Sequence, residues 1–166
     1  MRYLALLGLV VVLLAIEGAI GRLFHIELLQ PDLVLVLVVF IAFHLGPGGV
    51  LLVLASGLVA DSAAGTPHGL LTTTYLLIWV VVRAIQGVFI PDRKSVQLGM
   101  LFVMSLVSTG LVLLMLRLAD RAGGLTSALL VWMLPLALLN LLLAWPVWAL
   151  ARRIVLPVSP KTRRLA

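Results

Sequence analysis

Few side chains in this sequence are equipped for chemistry, so their placement matters more than their number. Glu17 is an ionisable group near the end of a 19-residue apolar run, Tyr3–Gly21. A carboxyl group among apolar residues is costly in a bilayer and is a functional candidate by default. Lying about one turn from Gly21, Glu17 is read here as reaching the polar boundary or pairing with a neighbour. Asp61 stands in the densest polar and small stretch, with Gly57 before it and Ser62, Gly65, Thr66, Pro67 and Gly69 after it. A cation or proton site at Asp61 has no second carboxyl nearby in sequence, so the favoured reading is a helix-ending turn with a solvated or backbone-bonded Asp61. Gly65-x-x-x-Gly69 and Ala60-x-x-x-Ala64 carry the small-residue spacing of close helix contacts. Arg83, seven residues before Ile90, has its Cα about 10 Å from the end of its apolar run and is expected to snorkel. Asn140 is expected to make an interhelical hydrogen bond, and Trp79, Trp145 and Trp148 to act as interface anchors.

The three histidines, His25, His44 and His68, stand on separate loops or ends with no metal-ligand spacing. Cysteine is absent, which excludes disulfides, Fe–S clusters and thiolate zinc sites. No nucleophile–base arrangement and no phosphate-binding Gly-Lys motif is visible. The sequence thus offers no catalytic, cofactor-binding or metal residues, and an enzyme is not expected.

The elements that must hold these residues are apolar runs. Of 166 residues, 63% are hydrophobic and 11% charged, and the mean hydropathy is +1.26. A water-soluble chain is about 45–50% apolar and about 25% charged, so the expected solvent is a bilayer. With no sizeable hydrophilic block, the chain reads as a single all-α membrane domain, residues 1–166, with six transmembrane helices over about 3–21, 31–45, 48–64, 68–90, 96–118 and 125–150. The first run follows Arg2 and could mimic a signal peptide, but Glu17 falls inside the would-be cleavage region, so it is read as a retained helix. Pro31 suits a first helical turn, and Asp32 complements the positive end of a helix dipole. Gly46-Pro47-Gly48-Gly49 is a turn by composition. The runs on either side of it are shorter than the roughly 20 residues a bilayer core needs. They are read as two short spanning helices, with a re-entrant hairpin as the other possibility. Pro135 and Pro146 are expected to kink the last helix.

Charge sets the orientation. Six spans place Arg2, Arg93, Lys94 and the tail residues Arg152, Arg153, Lys161, Arg163 and Arg164 on one side; Arg22, Arg117 and Arg121 fall on the other. Positive residues accumulate on the cytoplasmic face, so both termini and the basic tail 151–166 are expected there. The net charge of +6 is absorbed by this pattern and gives no support to nucleic-acid binding.

Pro31-Asp32 opening a Leu/Val run, then Gly46-Pro47-Gly48-Gly49, then Gly57-Leu58-Val59-Ala60-Asp61, then Gly65 and Gly69, resembles the rod-shape-determining protein MreD family. The likeness is sharpest over residues 31–70. It implies a non-catalytic scaffold of the bacterial inner membrane, part of the cell-wall elongation machinery (the elongasome) that governs cell shape and peptidoglycan synthesis. The implied partners are an MreC-like membrane protein, MreB filaments, a RodA-type glycosyltransferase, a penicillin-binding transpeptidase and membrane lipid. The matching positions are Pro31, Asp32, Gly57, Asp61, Gly65 and Gly69, with an architectural role. That family is similar in fold to the substrate-binding subunits of energy-coupling-factor transporters, which makes a vitamin-binding subunit the alternative. Such subunits dock through an Ala-x-x-x-Ala face on helix one. Ala15-x-x-x-Ala19 has that spacing but falls in the outer half of the helix, where docking needs the inner half.

Overall fold

The computed structural model describes residues 2–24, 31–64, 69–86, 94–118 and 125–155. Regular structure among them is entirely helical: α1 (Arg2–Phe24), α2 (Leu33–His44), α3 (Gly49–Ala64), α4 (Leu70–Gln86), α5 (Lys94–Leu118) and α6 (Leu125–Val155). Each apolar run of the sequence corresponds to one helix. Stretches of α1, α5 and α6 (Arg2–Gly21, Lys94–Met115 and Val131–Val155) are long and apolar enough to cross a membrane. The other three are shorter, at 12, 16 and 17 residues for α2, α3 and α4.

The arrangement gives the shortest helix a reason. Each of α1, α3, α4, α5 and α6 touches the next, α6 returns to α1, and α2 touches all five. The described helices therefore form a ring of five around a central α2. A helix that is apolar on every side belongs inside, and every residue from Leu33 to Ala42 is buried. Twelve residues rise only about 18 Å. Because protein surrounds α2 on all sides, nothing requires it to match a hydrocarbon core of about 30 Å. Its Leu/Val/Ile-rich sequence has modest intrinsic helix propensity. Enclosed away from water, its backbone has no alternative to bonding within the helix, and that constraint overrides propensity.

The ring turns large apolar side chains outward, among them Leu4 and Leu142, both 73% exposed, and Trp145, 80% exposed. Such a surface is an aggregation hazard in water and is at home against acyl chains.

Gly46-Pro47-Gly48 makes the expected turn between α2 and α3: the Gly49 N–H donates to Gly46 O at 2.9 Å and the Val50 N–H to Pro47 O at 3.2 Å. α3 and α4 form the most extensive pair. At their crossing a Cβ added to Gly57 would lie 2.5 Å from the Thr72 Cα, so only glycine permits this approach. The close contact thus falls at Gly57. Of the expected small-residue pairs, Ala60 is buried and Ala64 exposed, while Gly65 lies outside the described residues. α6 continues through both Pro135 and Pro146.

Candidate functional site: a buried polar node at the start of α2

A helix begins with four N–H groups that have no partner inside it. In the enclosed α2 each of the first four donors from its cap onward meets a side-chain oxygen. Asp32 is the N-cap, with φ −95° and ψ 83°. Its Oδ1 accepts from the Leu35 N–H at 2.7 Å. Glu17, reaching across from α1, accepts from the Leu33 N–H and from the Val34 N–H, the latter at 3.3 Å. The N–H of Asp32 itself donates to Asn140 Oδ1 of α6 at 2.9 Å. Asn140 then donates through Nδ2 to Ser105 Oγ of α5 at 2.8 Å. From α4, the Tyr75 hydroxyl donates to Asp32 Oδ1 at 2.8 Å. Side chains from α1, α4 and α6 thus converge on the first turn of α2, and α5 joins them through Ser105 and Asn140. Asn140 and Ser105 stand near the middle of α6 and α5, so α2 starts at mid-height of those two helices.

The same device recurs at α4. Gly69 precedes that helix with φ +92° and has no side chain to cap it. Asp61, 4% exposed on α3, supplies the cap from the neighbouring helix. Its Oδ2 accepts from the Gly69 N–H at 3.0 Å, the Thr72 N–H at 3.1 Å and the Thr72 hydroxyl at 2.6 Å; its Oδ1 accepts from the Leu71 N–H at 2.8 Å. In both cases a carboxyl on one helix closes the N-terminus of the next, where the dipole favours an acceptor.

Donors gather at the other end of α2. The Ala42 carbonyl accepts from Gln86 Nε2 at 3.0 Å and from Arg83 Nη1 at 3.5 Å. Arg83 also donates to Gln86 Oε1 at 3.2 Å and lies 6.0 Å from the Trp79 ring centroid. His44 stacks on Phe40 at 4.1 Å between ring centroids and bonds through Nδ1 to the Phe40 carbonyl at 3.1 Å. Nearer the start of α2, and apart from this group, Trp148 donates to the Val36 carbonyl at 3.0 Å. With acceptors at its start and donors at its end, α2 has both poles of its dipole matched inside the bundle.

Several expectations change against this geometry. Glu17, 8% exposed, takes the second of its two expected outcomes, pairing with a neighbour, and that neighbour is the backbone of α2. Asp61 lies within α3, not in a turn that ends it, although it is backbone-bonded as expected. Pro31 precedes the N-cap and so lies outside the first helical turn. Trp148 is buried and its indole N–H is used internally, whereas Trp145 is exposed. Trp79 is half-buried, and its Nε1 meets no hydrogen-bond partner among the described residues. Asn140 makes the interhelical bond expected of it. His25, His68 and Gly65 lie outside the described residues. Tyr75 and Ser105 were not singled out from sequence. The available signal was a phenol in an apolar run, since a buried Tyr hydroxyl needs a partner.

A cavity of about 170 Å³ lies beside the node, lined by Glu17, Asp32, Tyr75, Ala60 and Leu71 among others. It adjoins groups that can hold a proton or accept hydrogen bonds, but most of that capacity is already taken by the helix ends. Comparison with family models, curated proteins and solved structures returns no match. Fold and site therefore define the chain, over its described residues, as an all-helical protein with three helices long and apolar enough to cross a membrane.

Proposed function

We propose that the chain is a non-catalytic, six-span scaffold of the bacterial inner membrane, serving the cell-wall elongation machinery as the MreD family does and binding an MreC-type membrane partner. The observation that carries this reading is the work done by the residues of the resemblance. Asp32 and Asp61 close helix N-termini, Gly57 permits the α3–α4 crossing and Gly69 takes a positive φ before α4. Each of these jobs is architectural. The outward face of α1, where Gly8, Ala15 and Ala19 are exposed, offers small residues for packing against another membrane helix. The excess of positive residues on one side supports cytoplasmic termini, with the basic tail meeting anionic lipid or a cytoplasmic partner there.

Affinity capture of tagged protein from native membranes tests the proposal. Recovery of an MreC-type protein with wall-synthesis enzymes supports it. Recovery of a paired ATPase and coupling subunit, or of a stoichiometric vitamin, replaces it with the carrier. The cavity of about 170 Å³ beside Glu17 is the feature that favours the carrier, although small-molecule sites typically run from about 300 Å³ upward. A membrane enzyme would also need a buried polar node. Loss of a measured turnover in Glu17→Ala or Asp61→Ala, with assembly intact, would establish one and sink the scaffold. Since the chain has no cysteine, single cysteines introduced at 161–166 report topology cleanly. Labelling from outside the cell would reverse the orientation.

A further inference from the structure

From the height of the Asp32 node toward the start of α5, that helix lies beside the last turns of α6. Between them lies a second cavity of about 170 Å³, lined by Lys94 and Leu98 of α5 and by Leu141, Trp145, Trp148, Ala149 and Arg152 of α6. Its chemistry is divided along its length. Leu98, Leu141 and the two indoles make one part of the lining apolar, while Lys94 and Arg152, nearer the helix ends, bring two positive charges to the other. Arg152 is only partly exposed, and its Nε is buried with no hydrogen-bond partner among the described residues. A guanidinium N–H withdrawn from water and left unmatched is a cost that an incoming acceptor would relieve. Trp145, 80% exposed, continues the cavity onto the apolar outer surface with Leu142, where an acyl chain would lie.

We propose that this cavity is a binding site for an anionic phospholipid, with the headgroup phosphate held between Arg152 and Lys94 and an acyl chain lying along Leu98, Leu141 and Trp145. The inference rests on the bundle standing in a bilayer, not on the scaffold reading. Guanidinium donors match phosphate oxygens in geometry as well as charge, and the ammonium adds a second positive contact. A free phosphate shares that chemistry but has no use for the apolar lining, which is why the lipid is favoured.

The test uses the full chain in detergent, with native mass spectrometry of bound lipid after addition of phosphatidylglycerol or phosphatidylcholine. Phosphatidylglycerol should be retained in preference to phosphatidylcholine. Removing a cation should lower retention about fivefold for each of Lys94→Gln and Arg152→Gln, the expected contribution of one basic residue near anionic lipid. Lys94 is exposed, so Lys94→Gln keeps the fold even if the Arg152 variant does not, and Arg152→Lys should restore most of the retention. Neutralising the tail residues Lys161, Arg163 and Arg164 should leave retention unchanged. Equal retention of the two lipids, or loss only in the tail variant, overturns the site. Displacement of the lipid by millimolar inorganic phosphate would reassign it to a small anion.

Discussion

Replacing Asp61 should unfasten the start of α4 and weaken the whole bundle. The carboxyl accepts from three backbone N–H groups, those of Gly69, Leu71 and Thr72, and from the Thr72 hydroxyl. Asp61→Ala removes the acceptor from all four donors at once. Each buried donor left without a partner costs about 1–3 kcal/mol, whereas interhelical hydrogen bonds measured inside membranes average only about 0.6 kcal/mol, because the unfolded chain finds other partners. Four such bonds give a floor near 2 kcal/mol, and the orphaned backbone groups raise the expected loss to about 3 kcal/mol. Asp61→Asn keeps one acceptor but turns an N–H₂ toward converging donors, so about half of that loss is expected. The assay is unfolding by sodium dodecyl sulfate in mixed micelles, followed by tryptophan fluorescence, with amide exchange measured over residues 69–73. The ranking should be wild type, then Asn, then Ala, with the exchange increase centred on the first turn of α4. If Asp61→Ala unfolds within about 0.5 kcal/mol of wild type, the range of an ordinary surface change, and exchange at 69–73 does not move, the capping argument is wrong.

Further tests follow from the same contacts. Glu17→Gln retains a carbonyl oxygen for the Leu33 and Val34 N–H groups and should cost less than about 1 kcal/mol, whereas Glu17→Leu removes both acceptors and should cost about 2–3 kcal/mol in the same titration; equal effects would refute the assigned bonds. Gly57→Val forces a side chain against the Thr72 backbone and should destabilise by about 1–3 kcal/mol or more through overpacking; a neutral result in the thermal melt would mean that α3 and α4 do not cross there. Trp148→Phe keeps a ring but drops the N–H to Val36, with an expected loss of about 0.6–1.5 kcal/mol; a loss above about 3 kcal/mol would point to packing as the main role of the indole. Tyr75→Phe should cost a similar amount by freeing Asp32 Oδ1 of one donor, and no change at all would remove Tyr75 from the node.

Much of the architecture is legible in the sequence because bilayer composition leaves few options. Six apolar runs become six helices, and the Gly46–Gly49 segment becomes a turn. Asp32 before a Leu/Val run becomes an N-cap, a local relation between a side chain and the N–H three residues on. Asn140, a lone amide in an apolar helix, finds a partner because an unpaired one would be expensive. The sequence also marked residues 33–45 as too short to span and left two outcomes open. Burial explains the length in another way: α2 is ringed by protein, so its ends are set by side chains and not by the thickness of a bilayer.

Only the tertiary structure decided which groups meet. Glu17 lies 16 residues from Leu33, Tyr75 43 residues from Asp32 and Trp148 112 residues from Val36. No periodicity in the chain encodes such pairings; they depend on which helices neighbour α2 and at what height. Composition determined that backbone donors at buried helix ends must be satisfied by protein, since neither lipid nor a packed interior offers water. Packing decided that α1, α4, α5 and α6 would supply the node at the start of α2, while a carboxyl on α3 would close α4.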